Sequence, residues 1–419
     1  MDYGYLDMIH FSSIKETDIE SRLALLLARW IIYDNGFEKI ENLLMQEKIE
    51  WKKFREIIVY HELCAFAYIC LKKHLYLLPN NSMELLKKDY YFCLTHQVFL
   101  WREFLRIAHI FRDKNIEFTP LKGIAFFIDN MYGERRYLRP MVDIDLMVKK
   151  ETLPLVERIL GSLGYEKHLG GNKEDYWKSQ NYHLPFIKKR QKGLPCMAEM
   201  HWDLDYKRKN PLLPYLWSRI KKMRLDGKEI SLLSPEDTLF SIALHHRRFG
   251  KMLCLKNVCD TAMLLERYKD DIDWHYILRE AEREGMRTIL YFIFTQATLL
   301  LDVKIPPFVL RRLDIPGYKR QLIERFILSN TFAVESGLNN YKSLYLRTHF
   351  LIYDNIWDPV KCVLGLPLEQ FAKFYSLQPY SRRTNLLYKI RYLYFLKSLL
   401  VIILNATTKR MSKLLKNKK

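Results

Sequence analysis

Met141-Val142-Asp143-Ile144-Asp145-Leu146-Met147-Val148 is the stretch whose reading decides the fold. Two acids stand among apolar, β-prone residues. As a strand, the run sends alternate side chains to opposite faces. Asp143 and Asp145 then share one face, and Val142, Ile144 and Leu146 pack on the other. Two carboxylates so placed repel each other unless a cation sits between them or water reaches them. A second apolar run, Leu194 to Trp202, carries a third acid. There Met197, Glu199 and His201 share a face, and Ala198, Met200 and Trp202 share the opposite one. Asp143, Asp145 and Glu199 on neighbouring strands make an all-oxygen site suited to Mg²⁺.

Upstream, Ile116 to Pro120 reads as a short strand, and Lys122-Gly123 opens a helix over Ile124 to Tyr132. A helix start offers unpaired N–H groups and partial positive charge, which suits phosphate. Gly123 permits close backbone approach. Lys122 adds a point charge to a phosphate or is a solvated lysine at a turn. Arg139 contacts phosphate or pairs with an active-site carboxylate. His201 touches a base or shuttles a proton, or it orients Glu199 and packs beside Trp202. Leu153 to Leu163 reads as a helix stopped by Gly164. Tyr182 to Lys188 and Leu194 to Trp202 alternate like strands around the turn Arg190-Gln191-Lys192-Gly193. Asp203-Leu204-Asp205 repeats the Asp-x-Asp spacing but runs into Tyr206-Lys207-Arg208-Lys209-Asn210, so it reads as a surface loop.

The ordered set of Leu121-Lys122-Gly123, Arg139, Asp143-Ile144-Asp145-Leu146, Leu163-Gly164-Tyr165 and Glu199-Met200-His201-Trp202 resembles the nucleotidyltransferase superfamily, the DNA polymerase β-like fold. Within it, the set is similar to a bacterial group of uncharacterised nucleotidyltransferase family proteins. The resemblance implies an enzyme that binds Mg²⁺ or Mn²⁺ and an NTP. It implies Asp143, Asp145 and Glu199 as catalytic and metal-binding residues. It implies Lys122, Gly123, Arg139 and His201 at the nucleotide. One departure stands out: better-studied members carry Gly-Gly or Gly-Ser where this chain has Lys122-Gly123.

The whole chain bounds the rest. Its 419 residues suffice for two or three domains with real cores. Hydrophobic residues make up 49%, which excludes a disordered chain. The 7 cysteines are scattered, with no Cys-x-x-Cys pair, which argues for a reducing compartment and against zinc. No basic region followed by an apolar run opens the sequence, and no run is long enough to span a bilayer. The expectation is a cytoplasmic protein, with peripheral contact to the inner membrane face left open. The net charge of +20 favours polyanions as partners. After Glu369 no acid follows, so much of the excess sits in the tail.

The expected class is α+β: a small mixed-sheet nucleotidyltransferase core flanked by N-terminal and C-terminal helical domains. The boundaries are 1–112 for the N-terminal helices, 113–230 for the α/β core, 231–380 for the C-terminal helices, and 381–419 for an apolar helix and basic tail. In the C-terminal part, Leu239 to Arg248 brings His245-His246, one toward the core and one toward the cleft. Asp260 anchors Lys256 or a substrate amine, or is an ordinary helix-surface acid. Tyr392 to Leu404 packs as a core helix or lies in a membrane interface. The acceptor remains open: a small molecule, a peptide, a protein or RNA. Two other readings stand beside the enzyme: a non-catalytic binding or scaffold protein on the same fold, and a basic adaptor for nucleic acid or an anionic membrane surface.

Overall fold

The structure, a computed structural model, describes residues 18–170, 173–191, 193–205, 215–225, 227–248, 253–332, 348, 350–355, 357–365, 368–375, 377–378, 380–393 and 396–397. The basic tail over Thr407 to Lys419, most of the expected helix Tyr392 to Leu404, and Tyr206 to Asn210 lie outside the described residues.

Five strands form the central sheet: β1 (Phe118–Pro120), β2 (Asp143–Val148), β3 (Glu166–Lys167), β4 (His183–Lys188) and β5 (Cys196–His201). Their order is β1-β2-β5-β4-β3. β2 runs parallel to β5, while β1–β2, β4–β5 and β3–β4 pair antiparallel. The sheet is therefore mixed, and helices flank it, as the α+β reading expects. A second sheet, the hairpin of β6 (Lys221–Leu225) and β7 (Lys228–Leu232), docks at β1, where the Thr119 hydroxyl donates to the Ser231 carbonyl at 3.1 Å.

One sheet face is dry. Ile144, Leu146, Ala198, Met200, Leu184 and Phe186 are fully buried there. They share a core with Leu100, Phe104, Ile107 and Phe111 of the long helix Asn80–Asp113 and with Val156 and Leu160 of the helix Leu153–Ser162. The helix Leu153–Ser162 has proline in its first turn and stops at Gly164, whose φ of +85° lets the Tyr165 N–H reach the Leu160 carbonyl at 2.9 Å. Val142 departs from expectation. It precedes the strand and is 67% exposed, because β2 begins only at Asp143.

The helices on either side of the sheet segment meet in a second core. Leu23, Leu27 and Ile31 of the helix Ile19–Tyr33 share it with Val258, Ala262 and Leu265 of the helix Leu255–Arg267 and with Leu290 and Ile293 of the helix Arg287–Leu301. N-terminal and C-terminal helices thus bury one another's apolar faces, and Phe126, Tyr132 and Met147 of the α/β segment reach into the same core.

Candidate active site

The second face of β2 and β5 is polar. In their parallel register Asp145 stands directly opposite Glu199. Like charges so placed destabilise a sheet, so the surroundings must compensate. Two cationic or donor groups converge on Asp145 Oδ1: Lys122 Nζ at 2.8 Å and His201 Nε2 at 2.8 Å. The same His201 nitrogen lies 3.4 Å from Glu199 Oε2, and His183 Nε2 lies 3.7 Å from that oxygen. His183 faces His201 across the antiparallel β4–β5 pair, and the two rings stack with centroids 5.1 Å apart. Asp145 is 2% exposed, whereas Asp143, two residues earlier on the same face, is half-buried at the mouth of the site.

Lys122 reaches Asp145 from the first position of the helix Lys122–Ile128, just after β1, where the sequence suggested a helix over Ile124 to Tyr132. The Leu121 N–H donates to the Asp145 carbonyl at 3.0 Å, which fixes the turn to β2. Lys122 itself has φ of +49°, a left-handed conformation that costs an L residue roughly 1–2 kcal/mol. Lysine thus holds a backbone conformation that favours glycine. Gly123, the next residue, is buried. A Cβ there would meet Met141 Sδ at 2.3 Å and Arg139 Nη1 at 2.8 Å, so a larger residue would have to push these two side chains aside.

These groups set one another's charge. Burial opposes ionisation of Asp145, but Lys122 and His201 outweigh it and hold its pKa far below the ordinary value. Burial likewise opposes the charge on Lys122, and Asp145, Glu199 and Asp143 together keep it protonated. Burial works against Glu199 too, yet the His201 hydrogen bond and His183 hold it ionised. Asp143 goes the other way: burial and then Asp145 push its pKa well up. The site holds more carboxylate than its own cations balance.

The uncharacterised nucleotidyltransferase family matches residues 47–302, more than half of the chain. This chain belongs to that family. No curated protein and no solved structure matches it. The match starts within the N-terminal helices and runs through the helix Arg287–Leu301, so it takes in the sheet and part of each helical flank.

Other sequence expectations resolve as follows. Arg139 does not pair with Asp143, Asp145 or Glu199. Its Nε and Nη2 donate to Asp260 Oδ1 and Oδ2 at 2.7 and 2.6 Å, and the Tyr132 hydroxyl donates to the same carboxylate at 2.6 Å. Asp260 is therefore neither a surface acid nor the anchor of Lys256, which pairs with Glu62 at 2.6 Å. Asp205, expected on a surface loop, is 8% exposed and pairs with Arg247 at 2.5 Å. A buried carboxylate needs such a partner. The adjacent histidines divide as expected: His246 is 1% exposed, and half-buried His245 lies within the electrostatic reach of Lys122 and Asp145. His183 was missed. The signal lay in β4, where His183, Pro185 and Ile187 alternate onto the face that meets His201 and Glu199.

A divalent cation fits this donor set. Among the described residues, oxygens of Asp145 and Glu199 and a nitrogen of His201 lie within 4.8 Å of one another. The tight cluster has His201 where the sequence suggested Asp143. Asp143 lies on the same face but is not part of that cluster. Asp145 and Glu199, both held ionised, against the one lysine hydrogen-bonded to Asp145 leave a negative excess of the kind a hard cation relieves.

Proposed function

We propose that the protein is a divalent-metal-dependent nucleotidyltransferase that moves an NMP from an NTP to a hydroxyl acceptor, releasing pyrophosphate. The observation that carries this reading is the Asp145–Glu199 pair across β2 and β5. With Asp143 on the same face and Lys122 beside it, that pair forms a compact carboxylate site in a nucleotidyltransferase family chain. Asp143, Asp145 and Glu199 would hold Mg²⁺ or Mn²⁺. When bound, the metal supplies neutralisation of the triphosphate and a lowered pKa for the acceptor hydroxyl.

The chain's own residues do the remaining work. Lys122 contributes positive charge at the phosphate end, with Gly123 letting the turn close beneath it. Ionised Glu199 takes the acceptor proton as the acceptor oxygen bonds to the α-phosphorus and the bond to pyrophosphate breaks. His201, donating from Nε2 to Asp145, fixes the rotamers of both carboxylates, which is the positioning such reactions depend on. Arg139 acts through the turn: locked to Asp260, its guanidinium lies beside Gly123 and supports the turn that carries Lys122.

The test is incubation of the protein with Mg²⁺, each α-³²P-labelled NTP in turn, and a cell extract fractionated by size and class. Label transferred to one acceptor class with stoichiometric pyrophosphate supports the reading. Release of label only as free NMP or inorganic phosphate, with no acceptor labelled, would overturn it.

A further inference from the structure

Lys122 is hydrogen-bonded into the carboxylate cluster. Its ammonium lies 2.8 Å from Asp145 Oδ1, an oxygen that also accepts from His201 at 2.8 Å. That oxygen therefore already has two donors. The lysine side chain is 21% exposed, whereas that of Asp145 is 2% exposed. The backbone at Lys122 is held at φ +49°, and Lys122 is the only lysine or arginine hydrogen-bonded to Asp145 among the described residues.

We infer that Lys122 is a resident countercation that a divalent metal must displace from Asp145, and that an incoming nucleoside triphosphate takes up the displaced ammonium. The inference rests on the proposed metal site and concerns its regulation. The Lys122 ammonium is a compact point charge, and held 2.8 Å from Asp145 Oδ1 it neutralises that carboxylate. On Asp145 it stabilises the empty site and opposes the metal, since two cations cannot share one buried carboxylate oxygen without repulsion. Swung onto the triphosphate, it leaves Asp145 for the metal. Metal alone then binds weakly, nucleotide alone binds weakly, and each strengthens the other by the same factor. The enzyme is thereby kept from holding a loaded metal site without its nucleotide.

The experiment measures Mn²⁺ binding by electron paramagnetic resonance on the full chain, with and without a non-hydrolysable NTP analogue. It compares the wild type with Lys122→Gln and Lys122→Gly. Glycine suits the left-handed backbone while glutamine does not, so agreement between the two variants assigns the effect to charge rather than to backbone strain. Without nucleotide, both variants are expected to bind Mn²⁺ at least about tenfold more tightly than the wild type, given the strength of a close like-charge term in a shielded site. With the analogue, the gap should shrink or invert, because the variants lack the ammonium that meets the triphosphate. Thermal melts with and without Mn²⁺ give a second readout. Removing Lys122 should lower the apo melting temperature, and Mn²⁺ should raise it by more than in the wild type.

Equal nucleotide-free Mn²⁺ affinity in all three proteins, with metal still bound, would overturn the countercation role and leave the metal site standing. Absence of Mn²⁺ binding in every protein, with or without the analogue, would overturn the metal site and this inference together.

Discussion

Arg139 and Asp260, separated by 121 positions, meet in a bidentate pair with both side chains under 10% exposed. The pair joins the connector before β2 to the helix Leu255–Arg267, and Tyr132 closes it from a third side. Burial opposes the charge on Arg139, and Asp260 more than restores it. Removing one partner would strand a charge in the interior. Asp260→Asn is expected to cost about 3–5 kcal/mol of folding stability, read from urea unfolding. A double variant, Arg139→Met with Asp260→Leu, should recover part of the loss, since it leaves no charge unpaired. A single-variant loss below about 1 kcal/mol would mean that the pair is solvated, contrary to its burial.

The two aspartates of β2 should separate in their effects on the empty protein. Asp145 satisfies Lys122 and His201, so Asp145→Asn gives up charge-assisted contacts worth about 1.5–3 kcal/mol each. Asp143 instead suffers from burial and from Asp145. Asp143→Asn should therefore leave the melting temperature unchanged or raise it, while Asp145→Asn lowers it. Both should lose Mn²⁺-dependent NTP binding, measured by fluorescence titration. Retention of that binding in the double Asp→Asn variant would move the metal elsewhere.

Glu199 stands at the acceptor side of the proposed reaction. Glu199→Gln keeps the size and the hydrogen bond to His201 but cannot take a proton. Turnover with the labelled NTP should fall by at least about 10²-fold, the range of a positioned general base, with nucleotide affinity changed far less. Equal losses in both would place Glu199 among the ligands of the nucleotide's metal.

Much of this site was legible in the sequence because sheets enforce period two. Once Asp143-Ile144-Asp145 was read as strand, its apolar partners had to face a core, and Ile144 and Leu146 do. The same logic set Ala198 and Met200 against Glu199 and His201. What period two cannot supply is the neighbour. That His201 would donate to Asp145 depends on the parallel register of β2 and β5, and that Lys122 would fold back onto it depends on the antiparallel pairing of β1 with β2; no local signal encodes either. Arg139 illustrates the same limit. A basic residue four positions before an acid suggests a local partner, yet the true one lies in a distant helix. The hairpin β6–β7 was overlooked although Asp226-Gly227 between Lys221 to Leu225 and Lys228 to Leu232 is a strong turn signal. Its short strands carry lysines that obscured the alternation.

Buried neutral histidines make the fold acid-sensitive well above the carboxylate range. The His61 ring is fully buried at the end of the helix Trp51–Tyr60, where Nδ1 accepts the Leu255 N–H at 3.1 Å. A second proton would have to go on Nδ1 and break that bond. Burial pushes the pKa of His61 down to about 3 and that of His246 down to about 4. In the unfolded chain both would titrate near an ordinary histidine value, about 6.5. Between those limits the unfolded chain holds more protons than the fold, so stability rises with pH. The contribution is complete above about pH 6.5 and is lost as pH falls toward the folded-state values, at about 1.4 kcal/mol per pH unit for each histidine. Urea midpoints taken from pH 8 to pH 5 should therefore hold level and then fall. In His61→Gln the amide oxygen can still accept the Leu255 N–H, and the slope between pH 6 and pH 5 should drop by one proton's worth. An unchanged slope in that variant would show that His61 is protonated in the folded protein and that its ring reaches water.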